Sequence, residues 1–320
     1  QTFFTEGKGA YLKEQVSQEL WDDRTHFEGN ANAFRLLAHR FKGRRDGGFV
    51  MTYTTLASIV KYPYESSLAG SHGKFGFFNT EAHTFKKIAD ELGILCKSKP
   101  GEPLVYARHP LVYLVEAADD ICYEIMDIED SHKLKILSFE KTKELLLGFF
   151  DETTRNSIEQ RIIDEGITDD NEKVIYMRAC AIGKLENVCA HTFIEHEEEI
   201  LNGTFQGCLI DHIPEPQHTA YKRCTEVSIQ KIYKSKPVLD VELSGFKIME
   251  TLMEIMTEAA VHPDRFYSRQ LISRVSSQYD ITSPDLETRI MAVIDYISGM
   301  TDVYALDIYQ KINGISLPIV

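Results

Sequence analysis

No apolar run in this 320-residue chain approaches the roughly 20 residues that a membrane-spanning helix needs. A secretory signal is also missing, and the chain begins with Gln1 rather than methionine. It is therefore expected to start inside a longer protein or after processing. Six cysteines (Cys96, Cys122, Cys180, Cys189, Cys208 and Cys224) lie far apart without a CxxC pair. That usage argues against a disulfide scaffold and for a reduced, cytoplasmic protein. Positive charge is in deficit: 35 lysines and arginines against 49 aspartates and glutamates leave a net charge of −14, which excludes a general nucleic-acid coat. There is no GxSxG nucleophile turn and no GxxxxGK(S/T) phosphate loop, since Gly70-Ser71-His72-Gly73-Lys74 is too short and wrongly spaced for one. No repeat period is present.

What is there is an ordinary globular composition, 43% hydrophobic and 26% charged, in a chain long enough for one large domain or two coupled ones. The apolar spacing is helical nearly throughout. Helices are expected over residues 11–21, 26–41, 53–60, 80–92, 111–130, 138–150, 152–167, 172–199, 241–261, 265–279 and 285–298. A last helix ends at Gly314. Residues 225–233 read as a short helical piece, 63–76 and 203–221 as loops, and 97–109 as a short extended segment. The fold class is mainly α with little β structure. Gly29 would cost about 1 kcal/mol inside a helix, so it marks a point where another backbone or a ligand is expected to come close.

The organising stretch is LVYLVEAADDICYEIMDIED, residues 111–130, with no internal glycine or proline and with Pro110 where a helix welcomes it. Leu111, Leu114, Val115, Ala118, Ile121, Cys122, Ile125 and Ile128 fall on one broad arc, expected to be buried. Asp119 stands at its shoulder, followed at four-residue steps by Tyr123 and Asp127. On spacing alone these side chains form either a solvated edge, the commoner arrangement, or a metal ligand with two substrate contacts above it.

Other polar clusters point less sharply. Arg35, Arg40, Lys42, Arg44 and Arg45 gather where a helix ends, and cations there suit the helix dipole as well as they suit a phosphate or a single strand. His191, Glu195 and His196 nearly form a zinc pair, but the two histidines are five residues apart rather than four. His212 and His218 flank a proline-rich loop. Lys61 and Lys74 sit at helix or loop ends, where an ammonium group reaches a phosphate as a point charge.

Four stretches in order carry a resemblance: FEGNANAFR (27–35), KYP (61–63) with the later KFGFF (74–78), HPLVYLVEAADDICY (109–123) and DYISGMTDVYAL (295–306). Together they resemble the deoxynucleoside-triphosphate triphosphohydrolases (dGTPase-like) of the HD superfamily. The resemblance implies a helical HD fold and metal-dependent cleavage of a dNTP into deoxynucleoside and triphosphate. A divalent metal (Mg, Mn or a similar transition metal) would be the cofactor. Asp119 matches the family's distant metal-binding aspartate. Tyr123 and Asp127 match its sugar contacts, with Asp127 receiving the 3′-hydroxyl. Lys61, Tyr62 and Lys74 match its phosphate contacts, Asn30 joins them, and Arg289 is a further candidate for the triphosphate. The resemblance also implies a dNTP partner, dGTP by preference, and a homo-oligomer, with single-stranded DNA as a candidate effector.

The chain departs from the family in one respect: it has no His-Asp dipeptide and no HDxGxPPFGH-like segment. In the family these precede FEGN and supply three metal ligands with the catalytic histidine and glutamate. Those catalytic groups are therefore expected upstream of Gln1. Residues 1–150 are expected to form the distal part of the HD catalytic core, with residues 151–320 as a C-terminal helical region packed on it. Two further readings remain at this point, an inactive nucleotide-binding or regulatory HD relative and a helical protein-interaction module.

Overall fold

A computed structural model describes residues 1–316. It is 66% helical, with fifteen α-helices and no strand among the described residues, so the mainly α expectation holds. Among the described residues β pairing is confined to three isolated bridges, Tyr64 with Val105, Glu65 with Phe77 and Cys96 with Tyr106. The chain separates into two compact units. One joins Gln1–Arg108 to the described residues from Glu242 onward, and the other is His109–Val241. The division at residue 150 falls within the second unit, where Asp151 caps the helix Glu152–Asp164.

Among the described residues, the first unit holds a small apolar cluster of Ala31, Ala69, Phe75 and Phe78 and three larger ones. Phe34, Leu56, Val60, Phe77, Phe85 and Ile88 form one. Phe4, Leu12, Leu20, Trp21, Ile290 and Ile294 form a second. Leu252, Met256, Val293, Ile297 and Ile308 form the third. Each fully buried side chain of this size contributes about 1.5–3 kcal/mol. The helical spacing over 11–21 resolves into a 3-10 turn, Ala10–Glu14, and a helix, Gln18–Thr25, because Ser17 caps the second piece through Leu20 N. The next helix runs Gly29–Ala38 and is capped by the Glu28 carboxylate. Gly29 is thus the first helical residue rather than an interior one, and a Cβ there would meet nothing within 4 Å; the expected close approach is not made by the described chain. The helix expected over 265–279 is shorter, Phe266–Ile272.

The second unit packs Pro110–Lys133 along Asp170–Glu195, around Tyr113, Ile121, Ile125, Ile128, Leu146, Met177 and Leu185. Pro214 and Pro216 do not mark a loop. Pro214 is the N-cap of the helix Glu215–Val227 and Pro216 lies in its first turn, where a missing N–H costs nothing. That helix continues into a π turn, Ser228–Ile232.

The buried face of Pro110–Lys133 differs from the expected arc. Ile121, Ile125 and Ile128 are buried, but Leu111, Leu114, Val115, Ala118 and Cys122 are exposed. Glu116, Glu124 and Glu129 are buried instead. Glu124 and Glu129 illustrate how such acids are paired. Glu124 accepts from Thr225 Oγ1 and Ser228 Oγ, each at 2.8 Å. Glu129 accepts from Arg178 at 2.5 Å and pairs with Lys133 at 2.6 Å. Pairing of this kind offsets the cost of burying a charge, and a count of apolar residues does not register it. All six cysteines are free.

Candidate functional site

In the first unit, Glu28 gathers a set of polar groups. Its Oε2 accepts from the backbone N–H of Asn30 at 2.5 Å and of Ala31 at 3.2 Å. Its Oε1 accepts from Asn30 Nδ2 at 2.9 Å and Lys74 Nζ at 3.1 Å. Glu28 is 5% exposed while the Lys74 side chain is 48% exposed, so a buried carboxylate tethers a cation whose face is open to an anion. Lys74 Nζ also stands 5.9 Å from the centre of the Tyr62 ring, and Lys61 Nζ stands 5.8 Å from the same centre. Two ammonium groups thus share one aromatic ring. Asn30, Lys61, Tyr62 and Lys74 are brought together.

The local fold explains the gathering. Phe75, Phe77 and Phe78 are buried and pin the KFGFF stretch, with Phe77 stacked on Phe85 at 4.7 Å. Gly76 lies against Tyr62 so closely that a Cβ would fall 2.1 Å from the Tyr62 carbonyl oxygen and 2.5 Å from Val60 Cγ1. Glycine at 76 therefore lets the segment carrying Lys74 lie alongside the one carrying Tyr62. The Tyr64 phenol, 6.4 Å from the Tyr62 ring, is raised by burial and then by Tyr62 and Glu28.

Arg289 stands elsewhere in the first unit. Its Nε donates to the Ala260 carbonyl at 2.7 Å, and its Nη1 to those of Ser283 and Pro284 at 2.8 and 3.0 Å. These bonds tie its guanidinium to the backbone. The basic cluster also resolves into pairs. Arg40 meets Asp46 at 2.8 Å, Lys42 lies 3.9 Å from Asp280, and Arg44 covers the Phe49 ring. Arg35 is buried, bound to Asp295 and to Glu81. Burial pushes the Glu81 carboxyl up, but hydrogen bonding from His39 and the Arg35 charge hold it below its ordinary range.

In the second unit, Asp119 and Tyr123 are exposed and Asp127 is half-buried on one stripe of Pro110–Lys133. The helix starts cleanly, with Pro110 at its first position and His109 Nδ1 accepting from Leu111 N at 3.2 Å. Asp119 has no hydrogen bond or ion pair among the described residues. Asp127 Oδ2 accepts from Tyr233 Oη at 2.7 Å, a contact that sequence spacing does not suggest because Tyr233 lies 106 residues away. Glu28 escapes a reading of the sequence for a different reason: FEGN looks like a helix with an interrupted turn rather than a capped start.

No group of three or more His, Cys, Asp or Glu among the described residues is placed to hold a metal ion. His191, His196, His212 and His218 accordingly build no such site, and His196 Nδ1 is engaged with Glu199 at 3.2 Å. Divalent cations of the Mg or Ca type take about six oxygen ligands. A lone Asp119 does not meet that need, so the described residues do not by themselves fit a metal centre. No described helix is long and apolar enough to cross a membrane.

The comparisons with known proteins define the class, a phosphohydrolase relative. The family profile of the phosphohydrolase-associated domain (HD_assoc) matches residues 212–311. A deoxyguanosinetriphosphate triphosphohydrolase-like protein of Pseudomonas aeruginosa is 31% identical over 326 residues, covering 99% of this chain and 72% of the relative. A like-named protein of Synechocystis is 32% identical over 310 residues, covering 92% of this chain and 67% of the relative. A deoxyguanosinetriphosphate triphosphohydrolase of Yersinia enterocolitica is 25% identical over 350 residues, covering 94% and 65%. The chain belongs to the dGTP triphosphohydrolase-like family of the HD superfamily.

Proposed function

We propose that this protein hydrolyses deoxynucleoside triphosphates to deoxynucleoside and triphosphate, with dGTP as a substrate. The observation that carries the reading is the Glu28–Lys74–Tyr62–Lys61 arrangement. Two cations at one ring, one of them tethered from below by a carboxylate, suit a flexible polyanion better than a neutral ligand. The Asn30 amide adds a donor beside them. As charge builds on the departing triphosphate, fixed ammonium groups of this kind stabilise it.

The stripe on the second unit is assigned to the sugar. Tyr123 offers an exposed aromatic wall for a deoxyribose ring, and Asp127 an acceptor for its 3′-hydroxyl. Asp119 is assigned as one ligand of a divalent metal whose remaining ligands these residues do not supply. An activated water is the chemistry that such a metal would supply. Arg289 as a triphosphate contact requires its three carbonyl bonds to be exchanged for phosphate. Homo-oligomerisation, a cytoplasmic location and a single-stranded DNA effector belong to the same proposal and rest on the family resemblance.

The test is Asp119→Ala in the natural full-length protein. Asp119 is exposed and makes no hydrogen bond or ion pair among the described residues, so the variant should keep the wild-type melting temperature while turnover of dGTP disappears. Retained turnover in a folded variant would remove Asp119 from the site.

A further inference from the structure

We propose that Tyr233 is a positioning residue for Asp127: it occupies one carboxylate oxygen and holds the other where it accepts the hydroxyl of a deoxyribose. The inference rests on the reading that Asp127 faces the sugar, and it concerns only the second unit.

The geometry begins at Glu124, one helical turn before Asp127. Glu124 is buried and takes two hydroxyl hydrogen bonds, from Thr225 and Ser228, each at 2.8 Å. Burial raises its carboxyl, and the two hydroxyls supply the bonds that a buried acid requires. Ser228 opens the π turn Ser228–Ile232, closed by a bond from Tyr233 N to the Ser228 carbonyl at 3.0 Å. A π turn carries one residue more than an α turn, so it rotates the next residue by roughly 100° relative to an uninterrupted helix. That next residue is Tyr233, and its Oη meets Asp127 Oδ2 at 2.7 Å. Two acids on one helix face thus grip both ends of one non-standard turn.

The consequence lies in the carboxylate's remaining capacity. An ionised carboxylate only accepts, and it has lone pairs on both oxygens. Tyr233 uses Oδ2, and Oδ1 has no hydrogen bond among the described residues. The Tyr233 phenol is pushed well above its ordinary range, by burial first and then by its bond to Asp127 and that group's charge; it stays a donor at neutral pH. A donor fixed on Oδ2 selects one rotamer of Asp127 and leaves Oδ1 for a hydroxyl that can itself donate. The ligand this arrangement fits is a sugar with a free hydroxyl. A sugar lacking that hydroxyl gains nothing from it.

The experiment measures equilibrium binding of dGTP and of 2′,3′-dideoxy-GTP to the full-length protein, as wild type, Tyr233→Phe and Asp127→Asn. The wild type should prefer the hydroxyl-bearing nucleotide by about tenfold, as expected for a hydrogen bond to a charged group. Tyr233→Phe should lose most of that preference through weaker dGTP binding, with dideoxy-GTP affinity unchanged. Glu124→Gln, which loosens the grip on the turn, should lose part of it. A Tyr233→Phe protein that keeps the full preference while Asp127→Asn loses it overturns the role of Tyr233 alone. A wild type with no preference, or an Asp127→Asn protein that retains it, overturns the assignment of Asp127 to the sugar and the inference with it. A merely structural tyrosine would lower the melting temperature and weaken both nucleotides equally.

Discussion

Arg35 and Asp295, 260 residues apart in sequence, form a bidentate ion pair with both N–O distances at 2.8 Å. Both side chains are 4% exposed. The pair joins FEGNANAFR to DYISGMTDVYAL, so two of the four stretches behind the family resemblance meet inside the first unit. Arg35 also donates to Glu81 at 2.6 Å and to Thr80 at 3.1 Å, and His39 Nδ1 lies 2.9 Å from Glu81. In a buried network each partner covers another's desolvation, and removing one member leaves an uncompensated charge.

Asp295→Ala should therefore cost about 3–5 kcal/mol of stability, read from urea unfolding of the purified protein. A loss under about 1 kcal/mol, typical of an exposed pair, would show that the network does not hold the unit together.

Gly76→Ala places a methyl 2.1 Å from the Tyr62 carbonyl oxygen, and backbone has to move to admit it. Overpacking of this kind costs roughly 1–3 kcal/mol. The same variant should weaken tripolyphosphate binding, because Lys74 and Tyr62 separate when the segments do. Calorimetric titration checks the second effect, and unchanged affinity would mean that their proximity is incidental.

Lys74→Ala should lower affinity for tripolyphosphate or dGTP by about tenfold or more, the scale of a hydrogen bond to a charged group. Glu28→Gln keeps an acceptor at the helix start but withdraws the charge that tethers Lys74. It should reduce affinity less than Lys74→Ala does and lower the melting temperature slightly. If Glu28→Gln binds as the wild type does, the tether plays no part in anion binding.

Asp23 gives a pH dependence of definite sign. Its carboxyl is pushed up to about 7, by burial first, against the hydrogen bonds it accepts from Ser66 and Asn79. A folded-state value above the unfolded one of about 4 means that the protonated acid is favoured in the fold. The contribution is complete below about pH 4 and is lost as pH rises through about 7. The wild type should lose more stability between pH 5 and pH 8 than Asp23→Asn, by a difference on the order of a few kcal/mol. Equal slopes in the two proteins would contradict this.

Helical spacing and caps make most of the helices legible, since Pro110, Ser138 and Asp151 each stand at a start that local chemistry favours. The stripe of Asp119, Tyr123 and Asp127 is legible for the same reason, as four-residue steps hold whatever packs nearby. The buried face of that helix is not legible. Glu124 and Glu129 enter the interior only because Thr225, Ser228 and Arg178 meet them, and these partners lie 49 to 104 residues away. Tyr233 is hidden likewise: a π turn leaves no period in the sequence, so its aim at Asp127 appears only in three dimensions. The two prolines at 214 and 216 mislead for a local reason, because a proline at a helix start and one in a loop look alike until the helix is seen.

The central claim is triphosphate release from a dNTP, and product identity tests it most directly. The full-length protein, supplied with manganese and dGTP, should yield deoxyguanosine and tripolyphosphate in equal amounts, resolved by ion-exchange chromatography. Pyrophosphate with dGMP, orthophosphate with dGDP, or no product from any of the four dNTPs would contradict it.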